Sequence, residues 1–376
     1  MHRRQFLKAA AAGAVVLPFG RFSPFTSSAH AATLPAAGAW RRYEVTTQVN
    51  IDFPKGVTRA WLPLPLAENT DYQRTLSTTS AGVGAALRTE HDSRYNTAML
   101  CAEWQTGDAG IRTLTVVSQI ETRDRHVSLG TPGTSVPLTQ AQAALWLAPT
   151  ELLSTDGIVR DKAIEIMRNL PKDADQLSRG KAIYDWVVDN TFRDAKTAGC
   201  GIGNVGYMLE SGHMGGKCAD ISAVFVALAR AAGIPARDVY GIRTAASARG
   251  RKSLGKAGGD ITRAQHCRAE FHVPGYGWIP VDPADVRKVM LEEEKGGLPA
   301  SDPRVIAVRD ELFGNWEMNW MAYNYGHDLE LPGSALGPMS KIGFLMYPNG
   351  ETADGRLDPL DPAHFKYAIS AREITV

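Results

Sequence analysis

The chain has 376 residues, enough for two domains or for one large domain with additions. Its 41 basic and 40 acidic residues leave a formal net charge of +1, which gives neither nucleic acid nor an anionic membrane surface an electrostatic footing as main partner. A hydrophobic content of 44% and a charged content of 22% are ordinary for a globular protein, and no apolar run is long enough for an integral membrane span.

The N-terminus reads as an address rather than as part of the fold. Arg3-Arg4-Gln5-Phe6-Leu7-Lys8 is followed by the short apolar stretch Ala9 to Phe19 and then by Ala29-His30-Ala31. Twin arginines, a modest apolar core and a small-x-small cleavage site predict a twin-arginine export signal over residues 1–31, and with it a periplasmic or secreted protein. The four cysteines, Cys101, Cys200, Cys218 and Cys267, are too few for a disulfide scaffold at this length. With Cys218 free, one bridge among the other three stays open.

Residues 32–137 read as a β-rich, sandwich-like domain. Tyr43, Val45, Val49 and Ile51 alternate with mostly polar neighbours, which predicts a half-buried strand. Trp61 to Leu66 is held extended by Pro63 and Pro65 and reads as an edge strand. Ala98 to Trp104 and Leu114 to Ile120 add further strands, and no chemistry is visible among them. Beyond the connector Gly130 to Pro137 the periodicity turns helical, in Gly157 to Leu170 and Asp175 to Asn190, with Pro171 between them. Residues 138–296 are the expected catalytic core. Residues 297–376 are the expected aromatic-rich extension packed on it, with dense aromatics from Trp316 to Tyr325 and a terminal strand at Phe344 to Tyr347.

Within the core, the glycine-rich loop Asn190 to Gly216 leads into Gly215-Gly216-Lys217-Cys218-Ala219-Asp220. Ile221, Val224, Phe225 and Leu228 then recur at helical spacing, which predicts a helix with one buried face, stopped by Gly233 and Pro235. Cys218 therefore stands at a helix start and at the mouth of a cleft. There the exposed N–H groups and the helix dipole favour a thiolate and a developing oxyanion. The flanking glycines are expected to let a substrate carbonyl approach those donors closely. After a strand at Asp238 to Arg243, the segment Thr244 to Gln265 carries Arg249, Arg251, Lys252, Lys256 and Arg263 against Asp260. It reads as a mobile, solvated loop rather than as a substrate clamp.

Gln265 to Val273 alternates polar and apolar residues, a strand with His266, Arg268, Glu270 and His272 on one face. Pro274-Gly275-Tyr276-Gly277 turns the chain and Trp278 to Asp282 returns. A hairpin centred on Pro274 sets His266 opposite Asp282, an imidazole oriented by a carboxylate, as a base serving a thiol requires. Cys218, His266 and Asp282 are thus the candidate nucleophile, base and orienter. A buried thiol, a sheet histidine and a turn aspartate are the bland alternatives, and all three arising in this order outweighs them. A zinc site drawn from Cys200, His213, Cys218, His266 and Cys267 lacks the usual close spacing. Cys267 points away from the His266 face and is expected to pack or to join a disulfide. Glu270 is expected to pair with Arg268 or to rim the cleft, and Asp220 and Asp285 to act as cap and turn residues.

These segments resemble the transglutaminase-like superfamily, a branch of the papain-like thiol enzymes. The likeness is carried by Gly216-Lys217-Cys218-Ala219-Asp220, by the run Ala227 to Arg237, by His266-x-x-x-Glu270 and by Gly277-Trp278-Ile279-Pro280-Val281-Asp282-Pro283, in the family's order. It implies an α+β fold: a papain-like/transglutaminase-like core of helices packed on an antiparallel sheet, with an N-terminal β-rich domain. It also implies a Cys218–His266–Asp282 triad. The chain departs from the pattern at Arg268, where members often carry an aromatic, and the change is expected to alter the polarity of the acyl pocket. The resemblance implies an exported cysteine enzyme acting on amide or peptide bonds of a protein or peptide substrate through a thioester. Nothing marks an amine-binding site, so proteolysis or deamidation is the expected outcome. Cross-linking acyl transfer, and a non-catalytic binding protein that keeps the fold, are the alternatives. No cofactor or metal is expected, and the sequence says nothing about calcium.

Overall fold

The computed structural model describes residues 38–52, 54–106, 110–256, 258–361 and 365–375; the expected export signal lies outside the described residues. The helix Cys218–Ala231 forms the centre of the main core. One buried face is predicted, yet every residue from Cys218 to Arg230 is buried. Ala219, Ala223, Ala227 and Ala229 on the remaining faces let neighbouring elements close in, and a helix apolar all round belongs inside a protein. Helices Ile158–Met167 and Gln176–Asn190 pack against it, as does strand Gln265–Val273. Val224, Phe225 and Leu228 are fully enclosed, each contributing about 1.5–3 kcal/mol of apolar burial. Gly233 ends the helix in the left-handed region, at φ 78°, while the Ile234 N–H reaches back to the Ala229 carbonyl at 2.9 Å.

The central sheet is antiparallel, in the order Gly277–Val281, Gln265–Val273, Ala236–Arg243, Trp320–Asn324. In its hairpin Val273 pairs with Gly277 and Ala269 with Val281. The turn is therefore centred on Gly275 and not on Pro274. A proline ring fixes a negative φ, whereas Gly275 takes the φ of 85° that this turn needs. The next step of that register sets Asp282 across from Arg268 rather than from His266.

Two further antiparallel sheets pack face to face, and strands from residues 349–374 complete what residues 32–137 were expected to form alone. One runs Lys366–Ile374, Arg41–Ile51, Arg112–Thr122, Gln73–Ala81; the other runs Gly355–Leu357, Asn349–Thr352, Thr58–Pro63, Ala98–Trp104, Ala86–His91. Val49, Ile51, Leu114 and Val116 of the first meet Ala60, Leu62, Leu100 and Trp104 of the second. Thr58–Pro63 is not an edge: it pairs on both sides, and Pro63 falls where the ladder stops. Phe344 to Tyr347 is irregular backbone, not a strand. Leu345 and Met346 are buried there, and the Asn324 side chain satisfies the Leu345 carbonyl at 2.7 Å. A short apolar run looks the same in both settings. The terminal strand is Lys366–Ile374, so residues beyond Leu298 supply strands to all three sheets.

The charged segment 244–264 is docked, not loose. Arg249 bonds Asp124 and Glu311, Arg251 bonds Glu311, and Glu293 accepts the N–H groups of Lys252 and Ser253 at 2.9 and 3.0 Å. Each partner comes from a distant stretch of chain, where a local count of charges does not look.

Candidate active site

Cys218 is the first residue of its helix, and Asp220 fixes that start. Its carboxylate accepts the N–H groups of Lys217 at 2.9 Å, Ile202 at 3.0 Å and Gly203 at 2.9 Å. The Ala219 N–H bonds the Cys200 carbonyl at 2.9 Å. The glycine-rich loop is thereby stitched to the helix N-terminus. A Cβ at Gly201, where φ is 93°, would fall 1.8 Å from the Asp220 carboxylate, and one at Gly216 would fall 2.4 Å from it. These glycines make room for Asp220, not for an approaching substrate carbonyl. Cys218 is itself 4% exposed, so it lies beneath the surface rather than at an open mouth.

Cys200, Cys267 and His266 crowd the thiol. Cys200, then Cys267, together with the His266 imidazole, outweigh burial and hold Cys218 well below the ordinary cysteine range, while the Cys200 S–H has the Gln265 carbonyl as acceptor at 3.4 Å. Cys200 is pushed upward by its bond to Cys218 and by burial, and Cys267 upward by burial first. The negative charge thus goes to the one thiol with an imidazole beside it. Strand alternation turns Cys267 away from the His266 face, as expected, but the face it joins is the one packed on the Cys218 helix. All four cysteines are free, so of the two expectations for Cys267 it is packing, not a disulfide, that the structure shows.

His266 Nε2 lies 2.8 Å from Asp282 Oδ2. A carboxylate only accepts, so Nε2 carries the proton and Nδ1 is left for the thiol. The other Asp282 oxygen accepts the Asp285 N–H at 2.9 Å and caps the helix Pro283–Glu292. Asp285, expected only to cap or turn, belongs to the site: Oδ1 is 3.4 Å from His266 Nε2, and Arg243 holds both its oxygens at 2.6 and 2.8 Å. Burial pushes the His266 pKa down, yet Asp285 and then Asp282 raise it above the usual histidine range against the opposing charge of Arg243. Burial and then Asp285 push Asp282 upward. Burial also pushes Asp285 up, but Arg243, followed by His266, holds it below the ordinary aspartate value.

Arg268 is enclosed by protein. It is 2% exposed, with its guanidinium against the rings of Trp320 and Trp316 at 4.7 and 5.4 Å. Glu270 neither meets Arg268 nor rims a cleft; it is fully buried between Arg125 and Arg237, with Arg237 Nε at 2.6 Å. His213 is exposed, edge-on to Phe192 at 5.5 Å, and stands apart from the zinc set; the other four gather, but no three of their donor atoms close to within 4.8 Å of one another. Among the described residues, His266, Asp282 and Asp285 alone bring three donor atoms within 4.8 Å of one another. Arg243 and Arg268 already neutralise both carboxylates, which leaves a cation little to gain there. Asp285 carried a signal, since it stands three residues beyond a capping aspartate on the same helix turn. Arg243 carried none. Cavities of about 480 Å³ beside Met167, Leu170 and Ala231, and of about 240 Å³ beside Trp146, Arg237 and Tyr325, are lined by none of Cys218, His266 and Asp282.

A thiol at a helix start, an imidazole on an antiparallel sheet and a carboxylate at the end of the returning strand mark a class of cysteine enzymes. Residues 161–283, which hold all three, match the transglutaminase-like superfamily, and this stretch of the chain is a transglutaminase-like domain. An uncharacterized protein of Haemophilus influenzae is 38% identical over 349 residues, 88% of this chain and 91% of its own. A solved structure from Cytophaga hutchinsonii, described as a candidate cysteine protease, shares the fold at a TM-score of 0.50 and 16% identity, over 90% of this chain and 99% of its own. No helix of the described residues is long and apolar enough to cross a membrane.

Proposed function

We propose that this protein is a cysteine hydrolase that opens amide or peptide bonds of proteins through a thioester on Cys218. One arrangement carries the reading: Cys218 at the helix start, His266 beside it, and Asp282 2.8 Å from the far ring nitrogen. The Cys218 thiolate attacks the carbonyl carbon. The C–N bond breaks as imidazolium gives its proton to the leaving nitrogen, and a thioester remains. Water then attacks while His266 takes its proton; the acid departs, and thiolate and imidazolium are restored. With the Lys217 and Ala219 N–H groups engaged by Asp220 and by the Cys200 carbonyl, the Cys218 N–H at the helix start is the donor this reading assigns to the oxyanion. A lysine amine in place of water would turn the same acyl-enzyme into a cross-linker. The Arg3-Arg4 leader makes envelope proteins the first substrate pool to try, and cell fractionation checks that address.

Iodoacetamide tests the nucleophile. Cys218 is expected to label near neutral pH well ahead of a free cysteine, and His266→Ala to slow it by about 10²-fold or more. A Cys218 that labels no faster than free cysteine defeats the proposal. Mass spectrometry of envelope proteins incubated with the enzyme, with Cys218→Ala as the control, separates cleaved chains, deamidated side chains and cross-links as distinct products.

A further inference from the structure

Arg268 is buried beside the triad, and the reaction outlined above makes no use of it. It sits two residues beyond His266 on the same strand face, and the hairpin register brings it across from Asp282. Its Nε lies 3.3 Å from Asp282 Oδ2, a charge contact without hydrogen-bond alignment, so that N–H is left without a bond. Nη1 donates to the Glu317 carbonyl at 3.0 Å, and the plane rests on Trp320 and Trp316. A guanidinium at 2% exposure is costly to bury without a compensating charge, and Asp282 is the carboxylate it touches.

The charges around His266 explain why a cation is needed there. Asp282 and Asp285 approach the same ring nitrogen, at 2.8 and 3.4 Å, and two carboxylates that close disfavour each other's ionisation. Arg243, from the neighbouring strand, is spent on Asp285 in a two-point bond. Besides His266 itself, Arg268 is then the cation left to Asp282. With both arginines in place, two carboxylates face two guanidinium groups, and the Cys218–His266 pair sits in a set with no net charge.

We propose that Arg268 is a positioning residue of the triad: it offsets the negative charge of Asp282 and keeps that carboxylate aimed at His266, so that the thiolate–imidazolium pair forms at lower pH than it otherwise would. This rests on the reading of Cys218, His266 and Asp282 as the reacting set. A merely structural Arg268 would tie the strand to the Glu317 carbonyl and the two tryptophans, and its loss would leave the titration of the pair alone. The other groups facing the pair are Cys200, Cys267 and Tyr347 around the sulfur, with Asp220 in its helix turn and Lys288 beyond Asp285. Arg268→Met leaves all of them in place. Removing a cation disfavours the thiolate and favours the imidazolium, so both limbs of a pH profile move to higher pH.

The test is the rate of iodoacetamide labelling at Cys218, followed across the acid and neutral range in the full chain and in Arg268→Met and Arg268→Lys. The acid limb of Arg268→Met is expected to rise by about one pH unit or more, while Arg268→Lys stays near the parent. Melting curves establish that each variant is folded. Should Arg268→Met not fold, Arg268→Gln, which keeps a donor for the Glu317 carbonyl but no charge, gives the same comparison. A folded, neutral variant with the parent's limb overturns the proposal, as does a Lys variant shifted as far as the Met one. A parent protein without accelerated labelling at any pH would instead defeat the reading of the triad, and the two failures are distinct.

Discussion

A carboxylate in the third position of a helix ordinarily caps that helix and nothing else. Asp220 does this through the Lys217 N–H and also takes the N–H groups of Ile202 and Gly203, so one buried side chain holds both the start of the Cys218 helix and the loop beside it. Asp220→Ala leaves three backbone donors to find other partners and is expected to cost about 2–3 kcal/mol. Denaturant unfolding measures this, and a loss under about 0.5 kcal/mol would show that the loop is held by something else. Cys218, His266 and Asp282 were legible because each stands at a marked place: a helix start, an alternating strand, the end of a returning strand. Arg243 stands at the end of its strand with no local peculiarity, and its partner Asp285 is 42 residues on. Buried ion pairs of this kind are made by packing, and spacing along the chain carries no trace of them.

At the scale of elements, one turn residue decided which side chains meet. A turn about Pro274 would set His266 against Asp282, whereas the turn about Gly275 sets Arg268 there and leaves His266 to reach Asp282 on the diagonal. The His266–Asp282 contact survives because diagonal neighbours on an antiparallel pair stay within reach of long side chains. The charged loop 244–264 is a second case, since Glu311 from another helix takes both Arg249 and Arg251. Glu311→Ala is expected to free the loop, and tryptic cleavage after Arg249 and Arg251 should quicken by about tenfold, the equivalent of ~1.4 kcal/mol of local opening. Unchanged cleavage would mean that Asp124 and Glu293 suffice to hold it.

Over the whole molecule, the last strand binds the beginning of the chain to the core. Lys366–Ile374 pairs with Arg41–Ile51 over nine residues, and its Ile369 and Ala371 bond Ile261 and Gly259 of the docked loop at 2.8 and 2.9 Å. Removing residues 362–376 would bare the edge of Arg41–Ile51 and release that loop. We expect a lowered and broadened calorimetric transition with increased aggregation, since an unpaired edge invites other strands. A truncated chain that melts sharply at the parent midpoint would contradict this.

The sequence by itself determined the class of the molecule and marked Cys218, His266 and Asp282 as candidates, because helix starts, strand alternation and turn glycines act over a few residues and leave their pattern in order along the chain. Only the tertiary structure decided the setting of that set. It buried the Cys218 helix on every face, turned the neighbouring glycines to the service of Asp220, surrounded the thiol with Cys200 and Cys267, and gave the two aspartates their arginines. Those contacts join residues far apart in the chain, and they exist only because packing brings them into low-dielectric surroundings where charge must be matched by charge.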